Sequence, residues 1–274
     1  MQGKIIVSLT TYSKRIKNIP AVLDTIFSQT LPPDLVVLNL AHDEDVPQDV
    51  QNYIDSHSIE VNRVADTKVF KKLLPTLRKY PQDCIISIDD DWLYPKGMIA
   101  DFMKVHERYP CCPISGNRII LFGRQCHCGC ASLVKREYFG EGLDLIDDEV
   151  FRNCPSDDIV YTYFANKAGF SYIRTAEVYY KNMEPYNEGE SYTVSEDGFD
   201  GIAKSYCYLE DRFGSVEAPL KSYISDPYIA DLLHDIHSKD VLRKMEEVRQ
   251  EIRSSMTYKI GRALVKPFLG LKRE

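Results

Sequence analysis

A chain of 274 residues, 44% of them hydrophobic, is long enough to bury one sizeable core, and a formal charge of −7 argues against nucleic acid as the partner. The charge is uneven: residues 252–274 hold six basic side chains and one acid, +5 in all, which leaves −12 on the remainder. No long apolar run reads as membrane-spanning and no secretory pattern follows Lys4, so the eight cysteines are expected as thiols in a reducing, cytoplasmic setting.

The first half of the chain alternates between two periods. Strands are predicted at 4–9 (KIIVSL), 35–41 (LVVLNLA), 59–65 (IEVNRVA) and 83–88 (DCIISI). Helical patterns fall between and after them, at 19–29, 47–57, 69–80 (with Pro75 inside) and 95–109. Short apolar strands separated by helices of this length predict βαβ units and a mainly parallel sheet, whose ligands sit at the carboxyl ends of the strands. The pattern then loosens. Residues 130–139 read as an irregular or antiparallel piece, 155–170 as a helix, 171–180 as further strand and 183–201 as a polar loop long enough to act as a lid. Helical spacing returns after residue 220, with Leu242, Met245, Val248 and Ile252 on one face. The expected organisation is a domain over 1–215 and a helical extension over 216–274.

The fourth strand runs into three aspartates, Asp89, Asp90 and Asp91, in CIISIDDDWLYP. Strand alternation would send Asp89 and Asp91 one way and Asp90 the other. Like charges this close repel, and burial raises the cost. Hard carboxylate oxygens suit Mg²⁺ or Mn²⁺, and Mg²⁺ typically combines one or two carboxylates with water and substrate phosphates. A solvated acidic turn before Tyr94-Pro95 is the competing reading of the same residues.

The first strand leads into SLTTYSKR, which carries neither a GxGxxG nor a Walker pattern, so a dinucleotide site or a P-loop is not expected. Lys71 and Lys72 open the segment after the third strand, where cations favour an anionic group. CPSDDIVY places Asp157 and Asp158 at a helix start after Ser156, which suits either a cap or a catalytic acid pair.

The stretches 5–41, 70–95 and 154–161 together resemble the bacterial GT-A glycosyltransferases related to glycosyltransferase family 2, a likeness covering roughly residues 4–180. The resemblance implies an α/β GT-A fold of the Rossmann-like, nucleotide-diphospho-sugar type. It implies a DXD motif in which Asp89 and Asp91 hold Mn²⁺ or Mg²⁺, with Asp91 as the direct ligand and Asp90 toward the sugar or ribose. Thr10, Tyr12 and Arg15 then line the nucleotide pocket, Asp66 lies near the base, and Lys72 matches the family pattern better than Lys71. Asp158 becomes the base that takes the acceptor proton, with Asp157 orienting it. The donor is a nucleotide sugar, taken as UDP-linked, and the acceptor a saccharide or lipid-linked saccharide in bacterial surface polysaccharide synthesis.

CHCGC (126–130) lacks the second cysteine pair of a structural zinc site, and the resemblance puts it on the acceptor side. His234 and His237 match no motif and are expected as ordinary surface or core histidines. The basic tail, with Ile260, Leu264 and Phe268 at helical spacing, suits either packing on the body or peripheral contact with an anionic membrane. Two other functions stay open on residues alone: a sugar-1-phosphate nucleotidyltransferase, against which the glycine-free first loop counts, and a non-catalytic nucleotide-sugar or carbohydrate-binding module.

Overall fold

The computed structural model describes residues 3–116, 118–121, 124–127, 131–174, 184–186 and 198–216. Four parallel strands form its scaffold: β1 (Ile5–Thr10), β2 (Leu35–Ala41), β3 (Ile59–Val64) and β4 (Cys84–Ile88). β1 lies between β2 and β4, and β2 carries β3 on its far side. β1, β2 and β4 are almost wholly buried, which is why they read as continuous apolar runs rather than as alternation.

The connections run over the sheet as helices. In α1 (Ile19–Phe27), Ile19, Val22, Leu23 and Ile26 make one buried stripe, and Pro20 sits in the first turn, where its missing N–H costs nothing. α2 (Gln48–Ser56) buries only Val50 and Ile54. The single helix expected over 69–80 is two pieces: a 3₁₀ turn at Lys68–Lys72 and α3 (Leu74–Lys79). Pro75 is the reason, since it is tolerated in the first turn of a new helix but not inside an old one.

Beyond β4 come a two-residue strand β5 (Trp92–Leu93) and α4 (Met98–Arg108). The sheet then grows by β6 (Ile114–Ser115), β9 (Ala131–Val134) and β10 (Ile173–Arg174), giving seven strands in the order β10-β6-β9-β4-β1-β2-β3. β9 is antiparallel to both β4 and β6, so the sheet is mixed. The antiparallel option read for 130–139 holds for its first half, and 3₁₀ turns over Arg136–Leu145 replace it after that. A separate ribbon pairs β7 (Arg118–Leu121) with β8 (Arg124–His127), and β11 (Glu184–Pro185) pairs with β5.

α5 (Asp148–Asn153) and α6 (Asp157–Lys167) pack over one face of the sheet. The cluster there joins Ile6, Val37 and Ile85 of the strands to Phe70, Leu77, Tyr138, Phe139, Tyr161 and Phe164. α6 is buried almost all round from Ile159 to Ala165. Gly142 lets the 3₁₀ segment lie directly on α6, because a Cβ there would stand 2.6 Å from the Phe164 ring. α7 (Gly198–Phe213) was not expected: the glycines and acids at its start read as loop, yet Ser205, Tyr206 and Leu209 keep helical spacing and are buried. No described helix is long and apolar enough to cross a membrane. The extension over 216–274, its histidines and its basic tail lie outside the described residues apart from Val216, as do 175–183, 187–197 and Cys128 to Cys130.

Candidate active site

The carboxyl ends of β1 and β4 lie side by side in the centre of the sheet, and the acidic triad leaves from the second of them. The strand stops at Ile88, and the side chain of Tyr94 closes its end. The Tyr94 hydroxyl accepts from the Asp89 N–H at 2.8 Å and donates to the Asp89 carbonyl at 3.1 Å. On the other side the Asp91 carbonyl accepts from the Tyr186 N–H at 2.7 Å, next to the β5–β11 pair.

Because the strand has ended, strand alternation does not govern the three side chains, and the expected split of Asp89 and Asp91 from Asp90 is not what is found. Asp90 and Asp91 share one cation. Arg15 Nη1 stands 3.0 Å from Asp90 Oδ1 and 2.9 Å from Asp91 Oδ2. Asp90 is turned inward, 7% exposed, with Thr11 Oγ1 donating to its Oδ2 at 2.6 Å and Asn18 Nδ2 reaching its carbonyl at 3.4 Å. Asp89 instead meets Lys72, Nζ to Oδ1 at 2.9 Å. The same ammonium lies 3.3 Å from Asp157 Oδ2 at the start of α6. The structure therefore brings Arg15, Lys72, Asp89, Asp90, Asp91 and Asp157 into one network.

Its electrostatics are unbalanced. Among the described residues, four carboxylates (Asp89, Asp90, Asp91, Asp157) meet two cations (Arg15, Lys72) in a mostly buried cluster, so acids outnumber bases there. Burial and the neighbouring Asp89 push the Asp91 carboxyl up to about 6 in spite of Arg15. Burial also raises Asp90 against its bonds from Thr11 and Arg15. Burial opposes the charge on Lys72, but Asp157, Asp89 and Asp158 outweigh it and hold the ammonium well above its usual range. Among the described residues no three His, Cys, Asp or Glu side chains converge as a preformed metal cage. What the donor set offers is hard carboxylate oxygens, which suit a divalent ion that completes its shell with phosphate and water.

The segment bearing Lys72 is anchored from below by polar side chains inside the apolar strands. Ser8 Oγ donates to the Lys72 carbonyl at 2.6 Å and lies 2.7 Å from Thr76 Oγ1. Asn39 Nδ2 reaches Ser8 Oγ at 3.1 Å and Thr76 Oγ1 at 3.0 Å, and Asn62 Nδ2 donates to Asn39 Oδ1 at 2.8 Å. No motif marks this set, and its one sequence signal is a lone Ser or Asn inside the apolar runs IIVSLT and LVVLNLA. Thr11, Asn18 and Tyr94 are not among the expected site residues either.

The remaining expected residues are more loosely grouped. The Thr10 hydroxyl donates to the Asn39 carbonyl at 2.7 Å. Tyr12 is 39% exposed, with the Arg15 guanidinium 5.7 Å from its ring centre. Asp66 pairs with Lys71, whose ammonium holds the carboxyl below its usual range, and it also accepts from the Lys68 N–H. Asp158 follows Asp157 in the first turn of α6 and is half-buried, whereas Asp157 is buried. Ser156 stands at the N-cap position expected for it but makes no side-chain capping bond. A cavity of about 800 Å³ opens between α3 and α5, lined by Leu74, Pro75, Arg78 and Phe151 among others, and the triad does not line it.

No known family's sequence profile matches the chain. A search of curated proteins also finds no match. Solved structures do match. The mannosyltransferase PcManGT from Pyrobaculum calidifontis, determined with GDP-Man and Mn²⁺, aligns over 95% of this chain and 83% of its own at 15% identity, with a TM-score of 0.58. S. aureus TarS with UDP-GlcNAc aligns over 84% of this chain and 72% of its own at 15% identity, with a TM-score of 0.50. A 4-diphosphocytidyl-2C-methyl-D-erythritol synthase aligns over 65% of this chain and 91% of its own at 12% identity, with a TM-score of 0.46. The fold is thus that of the GT-A nucleotide-sugar transferases: a mostly parallel sheet flanked by helices, as the resemblance implied.

Proposed function

We propose that the chain is a metal-dependent glycosyltransferase that moves a sugar from a nucleotide-sugar donor to a saccharide or lipid-linked saccharide. The observation that carries this reading is the gathering of four carboxylates around Arg15 and Lys72, among the described residues, at the carboxyl end of β4, the place where an open α/β sheet receives its ligand. The fold it shares with PcManGT and TarS supports the same reading, since those proteins were determined with GDP-Man and Mn²⁺ and with UDP-GlcNAc.

Asp89 and Asp91 would hold Mn²⁺ or Mg²⁺. Once bound, such an ion supplies positive charge to the donor diphosphate as it leaves. The chain's own residues do the rest. The exposed ring of Tyr12 offers a face to the base, with Thr10 and Arg15 beside it and Asp66 further along the sheet edge. Asp90 is held inward by Thr11 and sets the shape of the loop around the donor. Asp158, the more open acid of α6, accepts the proton of the acceptor hydroxyl as the glycosidic bond forms, and buried Asp157 fixes its setting. With Asp158 as base the acceptor oxygen attacks opposite the leaving diphosphate in a single displacement, which inverts the anomeric centre. Surface polysaccharide assembly, with the basic tail against the membrane, is the setting this activity suits.

The test is a thermal-shift screen of the intact protein with nucleotides and nucleotide sugars, each with and without Mn²⁺. A nucleotide sugar that stabilises only with Mn²⁺ is the expected result. It is followed by an assay for slow release of free nucleotide without acceptor, which a binding module would not show. Stabilisation by nucleoside triphosphate and sugar-1-phosphate instead would replace this reading with a nucleotidyltransferase.

A further inference from the structure

Lys72 stands where the metal-side and acceptor-side acids meet. Its Nζ reaches Asp89 Oδ1 at 2.9 Å and Asp157 Oδ2 at 3.3 Å, contacts separated in sequence by 17 residues in the first case and 85 in the second. Its side chain is 11% exposed and that of Asp157 is 8%. Its main chain is pinned too, because its carbonyl accepts from Ser8 Oγ of the central strand. A lysine that receives a donor diphosphate needs its ammonium free to meet the incoming oxygens. Here the ammonium is engaged by two carboxylates, Asp89 at the rim of the site and Asp157 inside it, and the burial of Asp157 would be costly without it.

We propose that Lys72 is a positioning residue rather than a diphosphate ligand: it ties Asp157 to Asp89 and thereby couples divalent-cation binding at the triad to the acid pair at the start of α6. This rests on the reading of Asp89 and Asp91 as the cation's ligands. The coupling has a definite direction. Lys72 competes with the cation for Asp89, so removing its charge makes the site more negative by one unit and tightens cation binding. Losing a diphosphate ligand would do something different: it would weaken nucleotide binding and leave the cation alone.

Three measurements on the full chain decide it. Free Mn²⁺ is followed by electron paramagnetic resonance, without nucleotide, for wild type, Lys72→Met and Lys72→Arg. Lys72→Met should bind Mn²⁺ about tenfold more tightly, with Lys72→Arg near wild type. UDP and GDP affinities at saturating Mn²⁺ should move by less than about threefold in Lys72→Met. A loss of tenfold or more there, with Mn²⁺ affinity unchanged, overturns the proposal in favour of a diphosphate ligand. Metal-free urea denaturation of Lys72→Met, Asp157→Asn and the double variant closes a cycle, in which the unfolding constants should be non-additive by about tenfold. Recovery of a folded double variant where Lys72→Met alone fails to fold supports the tie equally. Additivity with normal Mn²⁺ binding sinks the Lys72 tie alone. Failure of the wild type to bind Mn²⁺ sinks the metal reading, and the coupling with it.

Discussion

Asparagine in place of Asp91 should make the metal-free protein more stable and the metal-loaded protein worse at its task. Burial and Asp89 push the Asp91 carboxyl up to about 6, net of the attraction of Arg15. A folded value above the unfolded one means that the anion destabilises the folded chain. The penalty is complete above about pH 6 and fades as pH falls toward the unfolded value near 4. At 1.36 kcal/mol per pH unit, the rise is worth about 3 kcal/mol at neutral pH. The asparagine side chain keeps the shape, drops the charge and leaves Arg15 on Asp90, so roughly 1–3 kcal/mol of that should return. For a domain of this size each kcal/mol is about 2–4 °C in Tm. Thermal unfolding in EDTA at pH 8 should therefore show Asp91→Asn several degrees above wild type, with the gain cut to about a third at pH 4.5. Adding Mn²⁺ at pH 8 should stabilise the wild type and leave the variant unmoved. A variant less stable than wild type at both pH values, or one that Mn²⁺ stabilises equally, would refute the charge-excess argument.

Further expectations concern other parts of the molecule. Asp158→Asn should keep Mn²⁺ and donor binding and lose transfer by about 10²–10⁴-fold, measured as product formed per donor bound. Ser8→Ala takes a buried donor from the Lys72 carbonyl and leaves the Asn39 amide on Thr76 alone among side chains, and should cost about 1–3 kcal/mol in urea denaturation. Asp147 caps α5 through the N–H groups of Glu149 and Val150 and pairs with Arg212 of α7. Asp147→Ala should cost about 1 kcal/mol from the cap, with a further salt-sensitive part from the exposed pair. Arg212 holds the Asp147 carboxyl far below its ordinary range, so this contribution is full at neutral pH and is lost as pH falls below about 4.

The parallel half of the sheet was legible because buried strands and amphipathic helices write different periods, and β2 falls on the residues expected for it. The triad was legible because three acids behind an apolar strand demand an explanation. Its partners were not. Arg15 and Asp91 are 76 positions apart, and nothing local announces that a loop cation will close on a distant turn. From sequence, a divalent ion alone is expected to neutralise the triad, whereas two of the chain's own cations carry part of it. The split of the 69–80 helix was written in Pro75, but whether a proline kinks a helix or starts one depends on the packing of Phe70 and Leu74, which periodicity does not resolve. Asp66 fell at the expected strand end, yet its ion pair with Lys71 was invisible until the 3₁₀ turn folded that side chain back.

The half-buried indole of Trp92 immediately follows the triad, in the two-residue strand that pairs with Glu184–Pro185. It is the chain's single tryptophan. The protein thus carries its own optical probe at the place where ion occupancy is proposed, free of background from a second indole. Paramagnetic Mn²⁺ should quench that emission where diamagnetic Mg²⁺ does not, giving a label-free reading of which ion has arrived.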